Sequence, residues 1–477
     1  MSENIGENIT RRLAEHVATL RYEDIPPSVI ERVKLFVADF VGIAVRAAYD
    51  AASTPPMIAA AEALGGAGKD GVGATIFSTR GRFAPPVAAL VNGAIGHSMD
   101  FDPMNTPASL APSPSAMPAA FAAAEMCGAS GREVLTGIVA GYDVTCKISQ
   151  ALGPAAMYER GFHPTAVAGC FGATAAAGRV LGLSVEQMVH AFGIALSEAA
   201  GSMQYLRNGA WTKRFQAGNA GRNGLVAATF AKHGFTGAVD ALEGRFGLFH
   251  AYVPDAKPEL AVAGLREVWE VSTTGIKPYP ACRLSHAPAD LAAAFYAEHG
   301  DRSDDIAEIT VGLSNTGMVL TGAPQEQKRE PKSVVDGQFS SHFTVAVMLR
   351  QGKLAWDDYN RQLADPRTLA LTRRVTAFED PRVEANYPNL LSGSLKIVMR
   401  DGTVHESFQR VPKGDPENFV TAEEVRAKFA SLVLPCLGAG GEAALFDVAM
   451  HLEQRGVADL FAATMASEPQ RVVAISA

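Results

Sequence analysis

Apolar residues recur at helical spacing from the start of the chain. Ile5, Ile9, Leu13, Val17 and Leu20 fall on one face of a helix over 5–22. Ile25-Pro26-Pro27-Ser28 stops and restarts the chain, and Ser28 with Glu31 fits a capping box ahead of Val33, Phe36 and Val37. The same start signal recurs at Ser130/Glu133, Ser184/Gln187 and Thr421/Glu424, each before an apolar periodic run. Further helices are predicted over 57–67, 84–97, 118–127, 131–150, 164–182, 185–200 and 219–234. Pro103, Pro107, Pro112, Pro114 and Pro118 instead predict a loop over 103–118, directly after His97-Ser98-Met99-Asp100-Phe101-Asp102.

The period changes near Val271. Ile309, Val311 and Leu313 alternate as in a strand, and so do Leu395, Ile397 and Met399. Asp401-Gly402 and the run Val404, Glu406, Phe408 then complete a hairpin signal. After Pro412-Lys413-Gly414-Asp415-Pro416 the helical period returns from Thr421 to about Ala463. The fold class predicted is mainly α with an inserted α+β domain. Residues 1–270 and 411–477 form a large helical domain from both chain ends, and 271–410 form a smaller α+β domain.

One stretch, 161–224, organises the rest. Small apolar residues dominate between His163 and Lys213, and Thr165 to Gly178 carries no charge. Gly169, Gly172, Gly178 and many alanines give too little apolar area for a membrane span, and Arg179 interrupts before about 20 residues are reached. A packed central helix is predicted. Its flanking His163 and Lys213-Arg214 are costly at the edge of a dry core unless they do something.

Composition narrows the class. The 477 residues suffice for a large core, and charged residues are only 19%, below the usual quarter, which predicts an oligomer that covers apolar surface. A net charge of −8 without a basic run argues against a nucleic-acid partner. The five cysteines (Cys127, Cys146, Cys170, Cys282, Cys436) form no CxxC pair, and Glu3, Glu7, Arg11 and Arg12 precede no apolar segment. Reduced thiols in a cytoplasmic chain are expected, with no signal peptide and no membrane partner.

No P-loop, GxSxG or HExxH motif is present, and no strand reads before Gly65-Gly66-Ala67-Gly68, so neither a cofactor nor a metal is expected. His97, Asp100 and Asp102 are open to three readings: a metal site, a satisfied polar network, or the edge of a substrate site. His163 follows Gly161 and precedes Pro164, which places it in a turn at a helix start, where anions are favoured. Lys277 lies in Gly275-Ile276-Lys277-Pro278-Tyr279-Pro280-Ala281-Cys282-Arg283, a proline-stiffened segment with His286 behind it. Rigid loops carrying Lys, Arg and His suit a small polycarboxylate.

Several segments resemble the MmgE/PrpD family, which includes 2-methylcitrate dehydratase, cis-aconitate decarboxylase and iminodisuccinate epimerase. They are Asn92-Gly93-Ala94 to His97 with Asp100-Phe101-Asp102; Pro118-Ala119-Ala120 to Glu125; Gly141-Tyr142-Asp143-Val144; Gly161-Phe162-His163-Pro164-Thr165; Gly201-Ser202-Met203-Gln204 to Lys213; His233-Gly234-Phe235-Thr236-Gly237; Leu242-Glu243-Gly244; Lys277 to Arg283; and Lys413-Gly414-Asp415-Pro416. The resemblance implies a helical domain with a smaller α+β lid domain, a homodimer, and a cofactor-free site between the domains. Departures are also visible. Ala111 and Pro103 stand where members carry His and a second Asp, Phe343 where many carry Tyr, and Lys213-Arg214-Phe215-Gln216 where many have Lys-Arg-Leu-His.

The family's reactions build charge beside a carboxylate, which requires a proton-transfer group and cations. By that resemblance His163 is expected as acid/base. Lys213 and Lys277 would bind carboxylates and hold the developing charge, and Asp100 would orient the pocket. His97, Arg283 and Arg214 are expected to bind substrate, and His342 to stand in for the missing proton relay. The first reading is a lyase that dehydrates or decarboxylates a small di- or tricarboxylate. An epimerase or isomerase working by α-proton exchange is the second, and a non-catalytic carboxylate binder the third. Retention of His163, Lys213 and Lys277 together speaks against the third.

Overall fold

The computed structural model describes residues 8–65 and 73–465. Ile5 and Gly66–Gly68, which figured in the helical and glycine-loop readings, lie outside them.

The Pro164–Val180 helix lies at the centre of the larger core, buried along nearly its whole length. Its small residues make this possible. A Cβ on Gly172 would stand 1.6 Å from Thr145 Oγ1 and 2.7 Å from Gly141 O, so the Gly131–Leu152 helix approaches almost to backbone contact. The helices Ile9–Thr19, Pro27–Asp50, Ser113–Cys127 and Val185–Leu196 surround this pair. The C-terminal Ala422–Met450 helix completes the unit, with Phe429, Leu432 and Val433 in the same core as Phe36 and Phe171. By length and composition this helix could cross a bilayer. Gly438 (φ 68°, ψ 175°) breaks the rod, however, and Lys428 is held inside by Asp39.

The second core belongs to a four-stranded sheet with helices on it. Its strand order is Val375–Glu379, Ile306–Leu313, Gly393–Met399, Val404–Gln409; the first pair is parallel and the others antiparallel. The Asp401-Gly402 turn closes the last hairpin, with Gly402 at φ 89°. The helices His286–His299 and Ser341–Gln351 supply Ala289, Phe343 and Val347 to this core. The molecule is therefore predominantly helical with a smaller α+β unit inserted.

Several local expectations are corrected. Ser28 does not cap its helix; Pro27 occupies the first position with Pro26 as N-cap, because proline's fixed φ suits that place. The 103–118 loop ends early, since Ser113–Cys127 is helical with Pro118 inside it. That helix is buried from Ser113 to Ala124, and this burial outweighs one lost hydrogen bond. The helix expected at 219 begins at Thr212. Val271 and Ile276 pack in the helical core and Ala281 in the sheet core.

Candidate active site between the two units

Two helices that cross at glycines bring the first pair of polar residues together. A Cβ on Gly93 would meet Gly218 Cα at 2.7 Å, and one on Gly218 would meet Leu90 O at 2.1 Å. The Pro85–Gly96 helix therefore lies tightly on Thr212–Lys232. The first ends at His97 and the second begins beside Lys213, whose Nζ lies 3.0 Å from His97 Nε2. The next contact is made by a two-residue pairing, Met104–Asn105 with Thr274–Gly275, which carries Lys277 to the turn after His97.

Asp100 is the hub of that turn. Its Oδ1 accepts from Lys213 Nζ and from Lys277 Nζ, both at 3.0 Å, and Lys277 also donates to the Asp100 carbonyl at 2.9 Å. The residue adopts φ 50°, a left-handed conformation that Asp tolerates better than most. Asp100 Oδ2 is buried with no protein partner. Burial alone would raise this carboxyl's pKa. Lys213, Lys277 and His97 outweigh burial and hold it well below the ordinary range. Asp100 is thus an anion at any working pH and a very weak base.

His97 is fully engaged. Lys213 donates to Nε2, so the ring proton sits on Nδ1 and is donated to Asp102 Oδ2 at 2.9 Å. Burial lowers the pKa of His97, Asp102 opposes this and Lys213 adds to it. Of the three readings for His97, Asp100 and Asp102, the structure therefore displays a polar network that aims two ammonium groups. The C-terminal helix supports it: Lys428 Nζ is 2.7 Å from Asp39 Oδ1, donates to Phe101 O at 2.8 Å and lies 3.6 Å from the Phe101 ring centroid.

His163 occupies the N-cap of the central helix, after Gly161 at φ 81°. Its ring lies 6.2 Å from that of His97, and Tyr205 packs edge-on against it at 5.6 Å. Gln216 Nε2 is 2.9 Å from His163 Nδ1. Burial pushes the imidazole well below its usual pKa, and Lys213 and His97 add to the effect against Asp100. His163, Lys213, Lys277, Asp100 and His97 all line one cavity of about 60 Å³. Cys282, Leu320 and Phe339 of the α+β unit form its far wall. Met203 lines both this cavity and an outer cleft of about 480 Å³, which Arg160, Arg207 and Lys328 border.

The other expected residues behave differently. Arg283 touches the cavity, but its guanidinium is spent on Asp415 Oδ1 (2.7 Å), Lys413 O and His286. It clamps the 413–415 segment to the lid. Arg214 lies behind Lys213 and donates to Ser53 Oγ at 2.9 Å; burial lowers its pKa to about 10. His342 does not reach the cavity. It is buried in the lid with Gln325 as its ring partner, and burial pushes it down to about 3. Phe343 is likewise in the lid core, stacked on Tyr359. Ala111 does line the cavity, as an apolar wall beside Thr165.

The sequence marks Gln216 only as a departure from the family's Lys-Arg-Leu-His and gives it no role, and it does not mark Tyr205 or Tyr158. Gln216 lies three residues after Lys213 on the same helix face, a relation that a helix beginning at 219 does not contain. Tyr158 lines the cavity with its hydroxyl donated to Ser109 O at 2.7 Å, and nothing in its local sequence marks it.

The buried histidines set a pH limit on the fold. His97, His163, His286 and His342 all have pKa values below the unfolded value of about 6.5, so the unfolded chain binds more protons in acid. Their contribution is fully present above about pH 6.5 and is lost as pH falls through the window below it, by up to about 1.4 kcal/mol per unit for each. Asp39, raised to about 6 by burial, opposes them only in the lower part of that window. The thermal midpoint should therefore drop between pH 7 and pH 5.5. A flat profile across that range would show that these rings are not buried neutral.

The sequence as a whole is similar to known proteins. It matches the MmgE/PrpD N-terminal domain over residues 11–261 and the MmgE/PrpD C-terminal domain over 279–454. It is 28% identical over 448 residues to cis-aconitate decarboxylase-like protein oryM of Aspergillus oryzae, covering 89% of this chain and 90% of that one. Similarity to cis-aconitate decarboxylase of Aspergillus terreus is 28% over 428 residues, covering 85% and 86%. The human cis-aconitate decarboxylase is 26% identical over 461 residues, covering 94% and 92%. Since the two domain models match in order and span most of the sequence, the chain belongs to the MmgE/PrpD family.

Proposed function

We propose that this protein is a cofactor-independent lyase acting on a small di- or tricarboxylate, by decarboxylation or dehydration. The observation that carries the reading is the lysine pair. Two ammonium groups share one carboxylate oxygen of Asp100, and His163 stands on the same cavity. Relatives named as cis-aconitate decarboxylases, similar over most of their length, support the substrate class.

The chemistry follows from charge. Loss of CO₂ from an unsaturated polycarboxylate leaves an electron pair on carbon, delocalised into a neighbouring carboxylate. Removal of a proton beside a carboxylate before water leaves creates the same dianionic character. Lys213 and Lys277 lie where that charge grows, already oriented by Asp100, so little reorganisation is needed in the transition state. His163 is the ring left free to meet the substrate, since His97 has both ring nitrogens committed. Arg283 and His342 take supporting places in the lid, and Arg214 backs the Lys213 helix turn.

Ala111 removes a polar group from the cavity wall, so the preferred acid is less polar there, or differently shaped, than citrate or cis-aconitate. The test is proton and carbon NMR in deuterated water with 2-methylcitrate, citrate, cis-aconitate and iminodisuccinate. Release of CO₂ or water from one of them is the expected result. Deuterium wash-in at an α-carbon without net conversion would replace the lyase reading with an epimerase. Inertness towards all four would count against the substrate class.

A further inference from the structure

We infer that Gln216 fixes which nitrogen of His163 carries its proton, so that substrate meets a neutral imidazole donating from Nε2–H rather than a base. The inference deepens the lyase reading and rests on it for its kinetic consequence alone.

The Gln216 amide has one permitted orientation. Ser202 N–H donates to its Oε1 at 2.8 Å, and its Nε2 donates to Ser202 O at 3.0 Å. Turning the amide over would set donor against donor and acceptor against acceptor at the same residue. With the amide so fixed, the atom facing His163 Nδ1 at 2.9 Å is Nε2, a donor. Nδ1 must therefore accept. A neutral imidazole has one N–H, and here it belongs on Nε2. Protonating the ring would place Nδ1–H against the Gln216 amino group.

The clamp and the ring form one mechanical unit. His163 N donates to Gly201 O at 3.2 Å, Met203 N donates to Gly161 O at 2.9 Å, and Phe162 bridges Ser202. Ser202, which orients Gln216, thus moves with the segment that carries His163. Lys213, three residues earlier on the helix of Gln216, orients His97 in the opposite sense, with the proton on Nδ1. The two rings, 6.2 Å apart, hold opposite tautomers. The charged and titratable groups acting on His163 are Lys213, His97 and Asp100, and Tyr205 packs edge-on against the ring. No hydrogen bond among the described residues engages His163 Nε2, and His163 lines the cavity, so its N–H is left for a substrate oxygen. A neutral imidazole donating to an oxygen on which negative charge grows stabilises the transition state without being an acid in its own right.

The experiment is ¹⁵N NMR of full-length protein labelled at histidine, with the His163 signals identified by their loss in His163→Asn. Wild type should show a protonated Nε2 and an accepting Nδ1 from pH 8 to 5.5. Gln216→Glu turns the partner into an acceptor. His163 should then carry its proton on Nδ1 and titrate at least about one unit higher than in wild type. Gln216→Met, similar in size with no donor, should give mixed tautomers, and kcat about tenfold lower with KM within about twofold. Wild-type His163 protonated on Nδ1, or the same tautomer in all three proteins, overturns the inference. So does a changed tautomer with unchanged kcat. If Gln216→Glu does not fold, the wild-type and Gln216→Met spectra decide. The spectra need no turnover, so an inert substrate panel would sink the lyase reading and leave the tautomer assignment standing.

Discussion

Asp100→Asn should cost the fold about 3–5 kcal/mol, read as the loss in unfolding free energy from urea titration at pH 7. Asparagine keeps the shape and tolerates φ 50°, so the loss isolates the charge. The Lys277 and Lys213 side chains are only 5% and 15% exposed. Without the carboxylate they are two like charges largely out of water, with no carboxylate bonded to either. Repulsion and desolvation act together. Adding Lys277→Met to Asp100→Asn should recover a large part of the loss, because it removes one of the two stranded cations. A loss below about 1 kcal/mol in the single variant would show that the lysines find other partners, and that Asp100 is not the hub. Turnover should fall as well, since both ammonium groups lose the group that aims them.

His163→Ala should lower kcat on the turned-over carboxylate by about 10²–10³-fold, the range found when one donor to a developing oxyanion is removed. KM should change far less, because in the proposed reading Lys213 and Lys277 bind the carboxylates. Thermal stability should not fall by much: the ring is buried at a helix N-cap, but its side chain makes no cap hydrogen bond. Full turnover in this variant would remove His163 from the mechanism. The contrast with Asp100→Asn is useful. One replacement should strike stability and rate together, the other rate alone.

How much of this was legible in the chain differs from element to element. Ser130/Glu133, Ser184/Gln187 and Thr421/Glu424 all form capping boxes, because that motif satisfies helix-end N–H groups locally and needs no distant partner. The 393–409 hairpin was legible for the same reason, its period and turn being set within a few residues. Ser28 failed because two neighbouring prolines competed for the same helix start. The start of the 212–232 helix is not legible locally because Gly218, Gly221 and Gly224 weaken its local preference, and packing on the Pro85–Gly96 helix supplies what propensity lacks.

The candidate site divides in the same way. The resemblance to a known family singled out Asp100; the sequence by itself determined the mainly helical organisation with an inserted α+β unit, the small-residue central helix, His163 and Lys213 as costly groups at its edges, and Lys277 in a proline-stiffened segment. Composition and period carry that information, since they act between residues close in sequence. Only the tertiary structure decided what these groups do to one another. It placed Asp100 between two lysines 113 and 177 residues away, and committed His97 to Asp102 and Lys213. It also spent Arg283 on Asp415 and buried His342 out of reach in the lid. Charge pairing and tautomer choice depend on distances of about 3 Å between segments far apart in the chain, and a pattern along one dimension holds no such distance.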